Sequence, residues 1–351
     1  MAGRIPVGIL GATGLVGQRF IQLLEDHPWF EVGWVAASER SSGQTYAEAA
    51  RWKLRTPMPE RVARMIVSPA AEPAGAPKVI FASLDAGIAQ ELEPRFAEAG
   101  CAVISNSSAF RMQKDVPLVI PEVNPDHLKL VECQTWRRKS GGFIVTNSNC
   151  SVMGLVLALA PLQRRFGLQQ VFAVTMQAVS GAGYPGVASL DILGNVIPYI
   201  PKEEEKMEAE APRMLGRLKG SAVEPASFRI SVQCNRVAVE DGHTESVSVK
   251  LEKTAKGEDL IESWRGFSGR PQEMKLPSAP AKPIVYERAP DRPQPRLDAE
   301  RGGGMSVSVG RLRACNLLDW KFTVLSHNTI RGAAGAALLN AELLKAQGYL
   351  D

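Results

Sequence analysis

A cysteine placed where one apolar run ends and another begins is the most chemically suggestive feature of this 351-residue sequence. Ile144-Val145-Thr146-Asn147-Ser148-Asn149-Cys150-Ser151 reads as a strand giving way to a helix, with Cys150 at the helix start and the apolar stretch 152–166 behind it. A helix N-terminus carries a partial positive charge and unpaired amides, so it favours thiolate over thiol and can hold an oxyanion. The expectation is a nucleophile for acyl chemistry, with a pKa below the ordinary ~8.5. Cys101, set in an apolar strand, reads instead as an inert core thiol.

A second constellation lies near the N-terminus. Gly11-Ala12-Thr13-Gly14-Leu15-Val16-Gly17 separates the apolar run 5–10 from a stretch in which Leu15, Val16, Phe20, Leu23 and Leu24 recur at helical spacing. A pyrophosphate can approach such a turn closely and accept hydrogen bonds from the amides of the helix start. The glycine pattern alone is weak, but a strand at 31–37 completes a βαβ unit and supplies the context of a dinucleotide site. Past that strand the chain reads Ser38-Glu39-Arg40-Ser41-Ser42. Arg40 with the hydroxyls of Ser38 and Ser41 suits a 2′-phosphate and points to NADP, whereas Glu39 is the residue an NAD enzyme would use on the ribose.

The elements that must position these groups alternate at first. Strands at 78–82, 102–105 and 143–146, with an Ala- and Glu-rich helix between the first two, predict a doubly wound parallel sheet covered on both faces. From about residue 168 the texture changes. Segments 170–178, 228–239 and 244–252 alternate polar and apolar side chains, as strands of a largely antiparallel sheet with one wet face do. Residues 306–312 read as a further strand and 329–347 as an Ala/Leu-rich helix returning to the first domain. The expected division is therefore 1–149 with 328–351 for the cofactor, and 150–327 for catalysis and dimerisation. Residues 271–295 hold seven of the 24 prolines and are expected to run extended over a surface or a subunit interface.

Composition narrows the function classes. Basic side chains number 41 against 37 acidic ones, a net +4 with no long basic run, so nucleic acid is not an expected partner. Five widely spaced cysteines without a C-x-x-C pair argue against a disulfide framework or zinc site and fit a reducing cytoplasm. Met-Ala-Gly-Arg leads directly into a strand without the pattern of a secretory leader, and the most apolar stretch, 152–161, is half the length of a membrane span. Neither a metal nor a membrane is expected.

Five segments in order carry a resemblance to a known family. Gly11 to Gly17, Ser38 to Ser41, Ser-Asn-Cys at 148–150, Ser-Gly-Ala-Gly-Tyr-Pro-Gly at 180–186 and Glu-Asp-Gly-His at 240–243 resemble aspartate-β-semialdehyde dehydrogenase, closest to its archaeal and fungal branch. The resemblance spans nearly the whole chain. It implies NADPH-dependent reduction of L-aspartyl 4-phosphate to L-aspartate 4-semialdehyde and phosphate through a cysteine thioester, in lysine, threonine, methionine and isoleucine biosynthesis. A thioester suits that chemistry because its carbonyl accepts hydride and thiolate departs readily.

The same resemblance assigns residues. It makes Cys150 the nucleophile, His243 the acid/base group and Gln177 the orienting amide. For the substrate it implies Arg236 on the α-carboxylate, Glu203 on the ammonium, Lys206 and Arg111 on the phosphate, and Asn149 beside them. Which of Glu203, Glu204 and Glu205 faces inward stays open. For the cofactor it implies Gly11, Thr13, Gly14, Leu15, Val16, Gly17, Ser38, Arg40, Ser41, Ser83, Ser180, Gly181 and Asn328. His27, His127 and His327 match nothing. A malonyl-CoA or succinyl-CoA reductase on the same scaffold is the alternative, distinguished by the ammonium and phosphate partners it would not need. Acetylglutamyl-phosphate and glyceraldehyde-phosphate dehydrogenases match the 180–186 and 240–243 segments less well, and a silent NADP-binding regulator would not need Cys150, His243, Gln177 and Arg236 together. The resemblance further implies a homodimer or homotetramer.

Overall fold

Strands that are apolar on both faces can be buried only within a sheet covered on both sides, and the first half of the chain supplies five of them and a two-residue edge strand. The computed structural model describes residues 3–350. In it β1 (Ile5–Leu10), β2 (Phe30–Ala37), β3 (Ser68–Pro69), β4 (Val79–Ala82), β5 (Ala102–Ser105) and β6 (Phe143–Thr146) form one sheet in the order β3-β2-β1-β4-β5-β6. Every pairing in it is parallel. Helix α1 (Leu15–Leu24) leaves the tip of β1 and buries Phe20, Ile21 and Leu24 against one face. Helix α2 (Ala86–Glu98) covers the other, where Phe96 and Ala97 meet Leu10, Ile80 and Ile144.

Glu93 of α2 is buried, and its carboxyl accepts a hydrogen bond from Ser105 Oγ at 2.7 Å. Burial pushes it up to about 7 against the opposing pull of Ser105 and Arg111. The folded state thus keeps a proton that the unfolded chain releases near pH 4.5, so stability falls as pH rises from there to 7. Glu93→Gln should be more stable than wild type at pH 8 by on the order of 1–2 kcal/mol and match it at pH 4. Thermal unfolding at both pH values checks this, and an equal difference at both would refute it.

The second sheet takes β7 (Leu168–Gln177), β10 (Arg229–Arg236), β11 (His243–Leu251), β12 (Ile284–Glu287), β13 (Val307–Ala314) and β14 (Trp320–Ser326), while β8 (Arg217–Lys219) and β9 (Ala222–Glu224) make a small hairpin. Its order is β10-β7-β11-β14-β13-β12. The three central pairings are antiparallel and the two edge pairings parallel, so the sheet is mixed. Helix α3 (Cys150–Phe166) lies on its inner face, where Val152, Leu155, Val156 and Leu159 pack with Ala173, Val232, Val247 and Val324. Helix α4 (Glu203–Met214) runs beside the edge strand β10. There Glu204 and Glu208, one turn apart, accept the amides of Cys234 and Val232 at 2.9 and 3.0 Å, which satisfies part of an edge that would otherwise invite pairing.

The chain ends in a π-helical turn, Ile330–Ala334, and helix α5 (Gly335–Ala346). Leu338, Leu339, Leu343 and Leu344 sit in the core of the first sheet with Val7, Phe20 and Phe81. The proline-rich stretch 271–295 is less irregular than its composition predicts. It contains a turn of helix, Arg270–Glu273, and the strand β12, because Ile-Val-Tyr-Glu between Pro283 and Pro290 is free of proline and an edge strand tolerates prolines at its ends. Leu276 enters the first core and the Ser278 amide donates to the Glu342 carboxylate of α5, so this stretch ties the two lobes together.

Candidate active site

Alternation along three neighbouring strands places Arg236, Gln177 and His243 in one row on the inner face. Arg236 is paired with Gln177, Thr244 with Met176, and His243 with Ser326. All three side chains are buried. The row faces the start of α3, where the Cys150 sulfur lies 3.2 Å from His243 Nε2. Asn149 caps α3 by accepting from the amides of Ser151 and Val152 at 2.8 and 3.2 Å, and its Nδ2 donates to Glu203 Oε1 at 2.8 Å. Gly181 closes the floor, because a Cβ there would stand 2.8 Å from Arg236 Nη1 and 3.0 Å from the His243 ring. Arg236 donates to the Ala178 carbonyl at 2.8 Å.

The His243 ring is pinned from behind. The Ala178 amide donates to Nδ1 at 3.1 Å, so the neutral ring carries its proton on Nε2 and directs it at sulfur. Burial, then Arg236 and His327, push the imidazole down to about 3. Burial, then Glu203, push the Cys150 thiol up to about 12 against Arg111, Arg236 and the Ser151 amide. The lowered thiol pKa expected from the helix start is therefore not found. A helix end is worth roughly 0.3–2 kcal/mol, Asn149 already occupies two of its amides, and loss of hydration beside a carboxylate outweighs the remainder. The resting site holds a thiol and a neutral imidazole.

Among the three glutamates left open by the sequence, Glu203 is the buried one, bonded to Asn149 and 3.5 Å from Lys206 Nζ. Glu204 caps β10 and Glu205 is exposed. Arg111 is buried, donating to Asn106 O at 2.8 Å and to Glu210 Oε1 at 3.0 Å, with Nε unpartnered. Two residues were missed from the sequence. Glu210 lies seven residues after Glu203 on the same face of α4, a spacing that was available as a signal. Gly332 follows Arg331, whose guanidinium is held two-pronged by Glu122, and a Cβ at 332 would stand 2.8 Å from Cys150 Cβ. Nothing in the local sequence reveals that contact.

The cofactor candidates gather around the tip of β1. Gly11 has φ +85°, and a Cβ there would meet Ser83 O at 2.6 Å, which brings Ser83 beside the turn. At Gly17 a Cβ would meet Gly11 O at 2.4 Å, so the turn and α1 pack backbone to backbone. No side chain caps α1, and Thr13, Gly14, Leu15 and Val16 keep accessible surface at its start. This is a cradle with open amides, and it fits a pyrophosphate. Ser38, Arg40 and Ser41 form a tight turn beyond β2, with Arg40 exposed. On the catalytic side Ser180 Oγ donates to Asp241 Oδ1 and accepts from Asn328 Nδ2, each at 2.7 Å, while Asn328 Oδ1 accepts the Gly242 amide. Asn328 is thus a brace between two loops. His27 and His127 are buried structural groups, bonded to Glu342 and Asn124. Among the described residues no His, Cys, Asp and Glu cluster is arranged for a metal, and no helix is long and apolar enough to cross a membrane.

Residues 6–131 match the family described as semialdehyde dehydrogenase, NAD binding domain, and residues 159–331 the semialdehyde dehydrogenase dimerisation domain. The sequence is 50% identical over 343 residues to the aspartate-semialdehyde dehydrogenase of Methanothermobacter thermautotrophicus, covering 97% of this chain and 99% of that protein. It is 44% identical to the Saccharomyces cerevisiae enzyme of the same name, with both chains covered in full. Among solved structures it is similar to aspartate semialdehyde dehydrogenase with NADP from Candida albicans, with a TM-score of 0.91 and 43% identity over 99% of this chain and 100% of that one.

Proposed function

The chain belongs to the aspartate-semialdehyde dehydrogenase family, and from that premise we propose which residues carry its reaction and how. It is an NADP-dependent oxidoreductase that converts L-aspartyl 4-phosphate to L-aspartate 4-semialdehyde and phosphate in amino-acid biosynthesis. The relatives support the amino-acid substrate and not the CoA thioester alternative. The observation that carries the mechanism is the Cys150–His243 pair at 3.2 Å, set in a row with Gln177 and Arg236.

Arg236 takes the substrate α-carboxylate as a planar two-pronged donor, and Glu203 takes the ammonium. Arg111 and Lys206 take the phosphate, Gln177 orients the acyl carbonyl, and Asn149 fixes Glu203. The Cys150 sulfur attacks the C4 carbonyl. Its proton cannot pass to His243, whose Nε2 is already protonated, so it leaves with the phosphate oxygen as the C–O bond breaks and the thioester forms. When bound, NADPH supplies the hydride that reduces the thioester carbon. His243 then donates a hydrogen bond from Nε2 to the departing sulfur as the C–S bond breaks and the aldehyde is released, and it keeps its proton. The thiolate takes its proton back from solvent.

The cofactor is held by Gly11, Thr13, Gly14, Leu15, Val16 and Gly17 on its pyrophosphate and by Ser38, Arg40 and Ser41 on its 2′-phosphate. Ser83, Ser180 and Gly181 line the path to the nicotinamide, with Asn328 bracing Ser180. Residues 1–149 and 328–351 form the cofactor unit and 150–327 the catalytic and dimerisation unit. A homodimer, which can pair into a tetramer, is supported by the dimerisation family and by the exposed Phe172 and Leu317 around a cavity of about 410 Å³ on the outer face of the second sheet. Five free cysteines suit the cytoplasm.

Purified protein should reduce NADP with aspartate semialdehyde only when phosphate is present, and should not oxidise NADPH with malonyl-CoA or succinyl-CoA. The reverse pattern would overturn the assignment. Arg40→Ala should raise the KM for NADP by roughly 10- to 100-fold, the loss of a charge-assisted contact, while leaving the KM for NAD unchanged. Equal effects on the two cofactors would remove Arg40 from the 2′-phosphate.

A further inference from the structure

One buried carboxylate at the site is bonded to two functional groups at once. Glu203, Lys206, Glu210 and Arg213 follow one another at spacings of three, four and three along α4, which puts them on a single face of the helix. Glu203 accepts from Asn149 Nδ2 and pairs with Lys206. Glu210 accepts the Asn149 backbone amide on Oε2 at 2.7 Å and Arg111 Nη1 on Oε1 at 3.0 Å. Arg213 donates to the carbonyls of Gln113 and Val116 at 2.8 and 3.2 Å, just past Arg111 in the chain. The face of α4 therefore spans from the nucleophile's cap to the loop that carries Arg111.

Glu210 is almost wholly buried, and Arg111 is buried with it. Arg111 Nη2 is committed to Asn106 O, and its Nε is unpartnered. With one nitrogen on a carbonyl and one on a carboxylate, the guanidinium plane is fixed, and its remaining donors have a single direction in which to point. The same carboxylate fixes the residue immediately before Cys150.

Resting on the assignment of Arg111 to the phosphate, we infer that Glu210 is the positioning residue of the phosphate site, holding Arg111 and the start of α3 at a fixed separation so that phosphate and attacking sulfur share one carbon. Glu210 touches neither substrate nor cofactor and acts through Arg111 and Asn149. Among the described residues its carboxylate is the only group that bonds both.

The test uses inorganic phosphate as probe, read by calorimetric Kd and by KM in the phosphate-dependent reduction of NADP. Glu210→Gln retains an oxygen for the Asn149 amide but presents an NH2 to Arg111, donor against donor, and should raise the phosphate Kd and KM at least tenfold. The semialdehyde KM and the Kd for NADP should stay within about threefold of wild type. Glu210→Asp keeps the charge one methylene short and should raise both phosphate constants at least threefold, which decides the matter if the glutamine variant does not fold. In an Arg111→Leu background Glu210→Gln should add nothing to the phosphate Kd. Unchanged phosphate constants in the single variants, multiplied effects in the double variant, or a parallel loss in every parameter would overturn the role. A wild-type protein that binds phosphate but shows no turnover would instead refute the reaction, and the Kd series would still decide for or against Glu210.

Discussion

Cys150→Ala is expected to lower phosphate-dependent NADP reduction by on the order of 10⁴-fold or more, because no other group near the acyl carbon can form the thioester. Cofactor binding should be unchanged, since Cys150 lies on α3 of the second sheet's core and the glycine turn lies on β1 and α1 of the first. Full activity in this variant would end the mechanism. The unsubstituted thiol has its own signature. With Cys150 near 12 and His243 near 3, iodoacetamide should alkylate Cys150 slowly at pH 7 and about tenfold faster for each pH unit up to 9. A thiolate–imidazolium pair would instead give a rate that is flat across that range. The rate must be read on the Cys150 peptide, because Cys315, despite partial burial, is drawn down by the amides of Leu318 and Leu317 and will react first.

His243→Asn should lower kcat/KM by about 10²- to 10³-fold, the span of a lost hydrogen-bond donor aimed at charge that develops in the transition state. The stability of the protein should move the other way in acid. His243 stays neutral in the folded state down to about pH 3, while in the unfolded chain it takes up a proton near 6.5. The folded state's refusal of that proton costs stability progressively as pH falls from 6.5 toward 3, and above 6.5 there is no such loss. The asparagine variant lacks this loss, so its Tm should gain on wild type between pH 6.5 and 4. A Tm difference that is constant with pH would show that His243 is not held neutral by its surroundings.

Much of this was legible in the sequence because it is local. The strand, glycine turn and helix around Gly11 to Gly17 follow from spacing, and so does the junction at Cys150, where the polar stretch Thr146-Asn147-Ser148-Asn149 separates two apolar runs. What was not legible depends on register or on distant packing. The order of Glu203, Glu204 and Glu205 is decided by which face of α4 meets Asn149 and which meets the open edge of β10, and neither partner is nearby in the chain. Strand β14 escaped notice as a strand, yet it supplies Ser326 beside His243. The sign of the cysteine shift was misjudged for a physical reason: helix position can be read from sequence, whereas the loss of water around the sulfur and the approach of Glu203 cannot.

The return of α5 to the first sheet bears on how the protein is made. The strands of that sheet are complete at residue 146, but Leu338, Leu339, Leu343 and Leu344 of its core are synthesised about 190 residues later, roughly 10–40 s at ribosomal rates of ~5–20 residues per second. During that interval Phe20, Phe81 and Val7 lack their final cover. The lobe encoded first is therefore the one finished last, and a nonsense codon shortly before residue 335 would take only Ala336 from the core around α3 while leaving the nucleotide lobe open to chaperones and proteases.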